Sequence, residues 1–347
     1  MKSGKHPRLW WIVTALLLAG AVILPLVLDR SRSSAHLVLY CAHDAIFADS
    51  IIQMFESRTG IQVDVRYDEE ASKSLGLTNL LISEKAAPRC DVFWNNQSLG
   101  TIRLKQNGVL APYQGEGYKR IPAAFRDPEG YWTGFAARMR VYIVNRDRME
   151  ASPEAIQNLL NADSLTDVAI AKPLFGTTLT HYSVLSAEMG LNALQEWHRS
   201  LQLRGIREVR GNGAVKDLVA EGTCALGFTD TDDVFVALED QKPVTMLPVR
   251  TTDGKTLVIP NTVALIQNCR NPEAAKQLID FLLSPEVELL LAESAARQIP
   301  LGSVTSETLS PEVRQLMEWS ADARAMDDAA ACQPEVLTWL TSEYQSP

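Results

Sequence analysis

The sequence has no Walker motif, no GxGxxG, no HExxH, no GxSxG and no CxxC pair. These absences remove the commonest motif-bearing nucleotide, zinc and serine-hydrolase readings. Cysteine is scarce: Cys41, Cys90, Cys224, Cys269 and Cys332 are all there are, too widely spaced for a zinc or thiol-redox site. Five thiols leave at least one unpaired in an exported chain, and Cys41 and Cys224 sit inside strand-like runs and read as core. Glycine and proline together make 36 of 347 residues, which excludes a collagenous or largely disordered chain. Basic residues are in deficit, 33 Lys and Arg against 42 Asp and Glu, a formal charge of −9. Five of the bases and one acid precede residue 36, leaving 28 against 41, or −13, for the remainder. A surface that acidic argues against sequence-independent nucleic-acid binding.

Among the features present, the amino terminus bears on the compartment. Lys2, Lys5 and Arg8 lead into an apolar run from Leu9 to Leu28, interrupted only by Thr14, Gly20 and Pro25 and closed by Asp29 and Arg30. Twenty such residues are long enough to span a bilayer and longer than the usual core of a signal peptide. Residues 1–35 therefore read as an uncleaved anchor with its bases on the cytoplasmic side, or as a signal peptide cut near Ser33-Ser34-Ala35. Either way the rest of the chain is expected outside the cytoplasmic membrane, periplasmic or extracytoplasmic.

From His36 onward, strand-like and helix-like patterns alternate, the order that gives a mainly parallel α/β sheet covered on both faces. Strands are expected at Leu37–Cys41, Ile61–Tyr67 and Asp91–Trp94, with helices from Asp44 to Arg58, Ser74 to Lys85 and Ser98 to Gln106. The middle repeats the scheme. Strands are expected at Ala137–Asn145, Asp167–Ala171, Ile206–Arg210 and Thr223–Phe228, and helices at Thr180–Gly190, Leu191–Arg204, Gly213–Glu221 and Thr231–Glu239. Two longer strand-rich stretches, Tyr131–Asn145 and Leu257–Ile266, look like crossings between two lobes. Helices follow at Pro272–Leu283 and Pro285–Glu293, one opened by Ser310-Pro311 and one at Glu335–Tyr344.

Short polar segments stand just beyond the expected strands: His43-Asp44, Ser72-Lys73-Ser74, Asn95-Asn96-Gln97, Thr177-Thr178, Asn212 and Thr229–Asp233. Taken singly, each is a set of helix caps. Taken together they fall where open α/β sheets bind ligands, at the carboxyl ends of the strands. Helix amino termini there, with Lys73, suit an anionic or polar solute. Asp230, Asp232 and His43 offer oxygen and imidazole donors to a metal cation or an amine. The candidate ligand-binding residues are thus His43, Ser72, Lys73, Asn95, Asn96, Thr177, Thr178, Asn212, Asp230 and Asp232, with His43, Asp230 and Asp232 as the metal set. Arg297 and Gln298 are expected at the border of the cleft. His43 or His181 could serve a hydrolase or transferase as base, but no nucleophile is visibly arranged beside either.

The runs LVLYCAHDAIFADSIIQMFESRTGIQVDVRYD, APRCDVFWNNQSLGTIRLKQNGVLAPY, PLFGTTLTH, GNGAVKDLVAEGTCALGFTDTDD, TLVIPNTVALI and AAKQLIDFLLSPEVELLLAESAARQIPL follow one another in an order that resembles the extracellular solute-binding proteins of ABC importers. The likeness runs from Leu37 to Leu301 and is greatest for the branch that binds ferric ion. It implies a type II periplasmic-binding-protein fold, with two doubly wound lobes joined by crossing strands: residues 36–135 plus 260–300 in the first lobe and 136–259 plus 301–347 in the second. It further implies a non-enzymatic, monomeric receptor that closes on one solute and hands it to an ABC permease. No resident cofactor is implied, ferric iron being the cargo. Iron-binding members place a histidine after the first strand, which His43 matches, an acid after the third, where Asn95 and Asn96 stand, and two tyrosines in the region of Asp230-Thr231-Asp232. That departure leaves a phosphonate or another small anionic organic solute as the alternative cargo, and a membrane-anchored sensor of the same fold as the alternative role.

Overall fold

The computed structural model describes residues 36–68, 74–305 and 309–345. The expected anchor and the candidates Ser72 and Lys73 lie outside the described residues. In β1 (His36–Cys41), Leu37, Leu39 and Cys41 enter one apolar layer and Tyr40 the opposite one. Both faces of the strand are thus covered, as the apolar run requires. Helix α1 (Ala45–Thr59) buries Ala48, Ile51, Ile52 and Phe55. It stops where Gly60 turns to φ +72 and its N–H returns to Glu56 O. β2 (Gln62–Tyr67) lies at the sheet edge with alternating exposure. α2 (Leu75–Ser83), β3 (Val92–Asn95) and α3 (Ser98–Gln106) complete three β-α units.

The chain then makes β4 (Leu110–Ala111) and α4 (Glu116–Arg120) before the long β5 (Thr133–Asn145). α5 (Pro153–Leu160), β6 (Val168–Ala171), α6 (Gly176–Met189), α7 (Leu191–Leu203), β7 (Arg207–Val209), α8 (Asn212–Ala220), β8 (Leu226–Asp230), α9 (Thr231–Glu239) and β9 (Val244–Pro248) follow. β10 (Val258–Ile266) returns, and α10 (Pro272–Leu282), α11 (Pro285–Glu293), α12 (Pro311–Ser320) and α13 (Asp327–Gln345) end the described chain. The strands run β2-β1-β3-β10-β5-β8-β6-β7, with β4 against β10 and β9 against β5. β1, β2 and β3 are parallel to one another, as are β6, β7 and β8. The antiparallel pair β5 and β10 joins the two groups.

Local signals that match a specific backbone need are met. Ser152, Ser284 and Ser310 each precede a proline at the helix start and accept from the N–H three residues on. Differences arise where partners distant in sequence decide. α6 starts at Gly176 rather than Thr180: Thr177 and Thr178 are poor helix formers whose hydroxyls find partners far along the chain, Asp230 and Asn212. α13 starts at Asp327 rather than Glu335 and carries Pro334 inside it, its buried Ala329 and Ala330 preceding the proline. β4, β9, α4 and α5 were not among the expected elements. All five cysteines are free thiols, and burial pushes those of Cys90 and Cys224 up from the ordinary value.

Candidate functional site

Three helices of the second strand group begin at one place. β6, β7 and β8 are parallel, so their carboxyl ends share one edge, and α6, α8 and α9 start there. Their first turns line a cleft of about 270 Å³, completed from the other strand group by Asp44, at the start of α1, and Asn96, beyond β3. Of the sequence-derived candidates, Asn96, Thr177, Thr178, Asn212, Asp230 and Asp232 line this cleft.

Asp230 ties the second wall together. Its carboxylate accepts from Arg140 Nη1 at 2.9 Å, Thr177 Oγ1 at 2.5 Å and Asn212 Nδ2 at 2.9 Å. Asn212 Oδ1 in turn accepts from Thr178 Oγ1 at 3.1 Å and Arg140 Nη1 at 3.2 Å. Fixed in this way, the wall is a preformed surface rather than a set of mobile side chains. Asp232 and Asp233 hold the next positions, in the first turn of α9. Asp233 Oδ2 accepts from Thr229 Oγ1 at 2.6 Å, and Asp232 Oδ1 accepts from the Asp233 N–H at 3.2 Å.

One carboxylate oxygen from each of Asp230, Asp232 and Asp233 falls within 4.8 Å of the others. Burial, then the negative neighbours Asp230 and Asp44 working against Arg138, pushes Asp232 up to about 6. Burial with Asp232 and Asp230 pushes Asp233 up to about 7. Crowded carboxylates that resist ionisation together gain most from a bound cation.

The cleft also holds positive groups. From β5, Arg138 Nη2 donates to Asn96 O, just beyond β3, at 2.9 Å, and its Nε lies 3.7 Å from Asp230 Oδ2 at the end of β8. Lys172 lines the mouth, its Nζ 5.1 Å from the centroid of the Tyr344 ring. Phe175, Gly176, Gly211 and Gly213 bring backbone close to the space. Sequence reasoning passed over Arg138 and Arg140 because they sit inside a strand. The available signal was two arginines at i and i+2 in an otherwise apolar run, which puts both on one face.

Two candidates fall elsewhere. His43 does not line the cleft: its Nε2 lies 3.1 Å from Gln298 Nε2, and its ring packs on Trp94 and Phe47. The acidic group forms with Asp233 where the sequence had suggested His43. Asn95 is fully buried, its Nδ2 donating to Thr101 Oγ1 at 3.1 Å and its Oδ1 accepting from the Asn96 N–H. Gln298 is spent on His43 and Asn261, while Arg297 covers the Phe235 ring. His181 is buried beside Phe228, and burial followed by the charge of Arg140 lowers it to about 3, so it stays neutral away from the cleft.

Residues 50–321 match the family described as bacterial extracellular solute-binding protein. The chain is 24% identical over 331 residues to the Fe(3+)-binding periplasmic protein of Serratia marcescens, covering 94% of this chain and 95% of that one. Its fold superposes on iron-bound HitA from Pseudomonas aeruginosa with a TM-score of 0.77 at 20% identity, covering 88% of this chain and 99% of the other. It also superposes on AfuA from Actinobacillus pleuropneumoniae, solved with fructose-6-phosphate bound, with a TM-score of 0.72 at 17% identity, covering 91% and 100%. The chain belongs to the bacterial extracellular solute-binding proteins, and its fold is the periplasmic-binding type expected from the resemblance. Among the described residues no helix is long and apolar enough to cross a membrane.

Proposed function

We propose that this extracellular solute-binding protein captures an iron-related solute in the cleft between its two strand groups and delivers it to an ABC permease. The observation that carries this reading is the convergence of the Asp230, Asp232 and Asp233 carboxylates within 4.8 Å. Hard cations take oxygen ligands, and Asp44 and Asn96 supply further oxygens from the opposite wall. Among the described residues no tyrosine lines the cleft, so the donors there are carboxylates and an amide rather than phenolates. Asp230 is already engaged by Arg140, Thr177 and Asn212, which leaves Asp232 and Asp233 as the principal ligands. The curated relative named for Fe(3+) and the iron-bound structural neighbour agree with this cargo.

A solute that touches both walls shifts the protein toward the closed arrangement, because only that arrangement offers all the contacts at once. The twenty-residue length of the Leu9–Leu28 run, longer than the usual core of a signal peptide, supports an uncleaved anchor that holds the receptor at the membrane surface. Sequencing the mature amino terminus tests that point.

A small anionic organic solute, such as a phosphonate, is the second reading. Arg138, Lys172 and the amino termini of α6, α8 and α9 favour it, and AfuA holds a sugar phosphate. Titration calorimetry of the full-length protein with ferric citrate, and separately with methylphosphonate, decides between them. Heat with ferric citrate that disappears in Asp232→Asn/Asp233→Asn supports iron. Binding of the phosphonate alone, unaffected by that double change, overturns it.

A further inference from the structure

Strand β5 contains one residue more than its neighbour can pair. Thr133, Gly134 and Phe135 pair with Val263, Thr262 and Asn261, and Ala137 to Met139 pair with Pro260 to Val258, so Ala136 has no counterpart on β10. Ala136 is fully buried and takes φ +41, a left-handed conformation that penalises any residue with a Cβ. Such a conformation persists only where the surroundings impose it.

Here they do. The Ala136 N–H donates to Glu288 Oε1 at 2.9 Å, and its carbonyl accepts from Asn261 Nδ2. Ala137 exchanges both backbone bonds with Ile299, at 2.8 and 2.7 Å. Glu288, on α11, is fully buried. It also accepts from the N–H groups of Leu301 and Gly302 and pairs with Arg120 at 2.8 Å. A bulge bends its strand and re-aims the side chains beyond it. Two residues beyond this one is Arg138, the side chain that reaches Asn96 O and approaches Asp230 across the cleft.

We infer that Glu288 is a positioning residue of the solute cleft: by holding Ala136 left-handed it sets the bend of β5 and so the place where Arg138 enters the cleft wall. This rests on the cleft being the solute site. A Glu288 that only joined α11 to residues 301–302 would act independently of the residue at 136.

Rescue distinguishes the two roles. The full-length protein, Glu288→Gln, Ala136→Gly and the double variant are compared by hydrogen exchange of the peptide spanning 133–145 without ligand, and by calorimetry with ferric citrate. Glu288→Gln speeds that exchange and weakens ferric citrate, each about tenfold, as for the loss of a charged hydrogen bond. Glycine adopts positive φ unaided. The double variant therefore returns the exchange to the level of Ala136→Gly alone and restores binding. Exchange that stays fast in the double variant overturns the inference. Should Glu288→Gln fail to fold, Glu288→Asp, which keeps the charge but draws the carboxylate back from the Ala136 N–H by one methylene, takes its place in the same comparison, with the same two outcomes. A parent protein that does not bind ferric citrate defeats the iron reading, while the exchange comparison still decides the role of Glu288.

Discussion

Arg140 Nη1 donates to Asp230 Oδ1 at 2.9 Å with the arginine entirely removed from solvent. The same nitrogen reaches Asn212 Oδ1 at 3.2 Å and Thr177 Oγ1 at 3.4 Å, so one buried guanidinium anchors residues from β8, α8 and α6. Burying such a charge is costly unless a counter-charge and hydrogen bonds accompany it. Asp230 therefore belongs to the architecture of the wall.

Arg140→Met should cost about 3–5 kcal/mol, the range for removing one partner of a buried ion pair. Urea denaturation of the variant measures it. A loss below about 1 kcal/mol, the scale of an exposed pair, would mean that the wall does not depend on this contact.

Asp232 and Asp233 are raised to about 6 and about 7, so the folded protein binds protons that the unfolded chain has already released. Their contribution to stability is complete below about pH 4, the ordinary carboxylate range. It is lost as pH rises through 6 and 7. A bound cation needs the ionised forms, so its affinity should rise over the same interval, with protons released on binding. Calorimetry in buffers of different ionisation enthalpy counts those protons, and Asp233→Asn should diminish the count.

Arg138 lines the cleft, where the proposed reading gives it the anionic partner of the solute. Arg138→Gln should weaken an anion such as methylphosphonate or the citrate of ferric citrate by about ten- to a hundredfold, the value of a charge-assisted hydrogen bond. Raising salt should narrow the difference between parent and variant. Unchanged affinity for both probes would remove Arg138 from the binding surface.

Gly227 lets α8 lie against β8. A Cβ there would come within 2.5 Å of Val215 Cγ1 and 3.1 Å of Val219 Cγ2. Gly227→Ala should destabilise the protein by about 1–3 kcal/mol through overpacking. Because α8 carries Asn212, solute affinity should fall with it. Thermal denaturation and calorimetry on one preparation test the pair of effects.

The order of elements was legible in the chain because it rests on short-range signals. Alternation in Ile61–Tyr67, the Asp44 to Gly60 helix boundaries and the Ser-Pro starts at Ser284 and Ser310 each express a local backbone requirement. The candidates Asn96, Thr177, Thr178, Asn212, Asp230 and Asp232 were legible for a related reason. Each stands at the carboxyl end of a strand, and parallel strands bring such ends to one edge. His43 and Asn95 satisfy the same positional rule yet point into packing, His43 toward Gln298 far along the chain and Asn95, the last residue of β3, toward Thr101 in α3, because the direction of a side chain at a strand end is set by the elements packed on it.

Periodicity and caps, which act over a few residues, already specified the alternating α/β order and the sites where polar loops would gather. They could not specify which polar side chains would face the cleft. That choice came from contacts between residues 53 and 152 positions apart, such as Thr177 to Asp230 and Ala136 to Glu288. A buried arginine or a left-handed alanine is tolerable only once distant partners surround it, and no local pattern announces those partners.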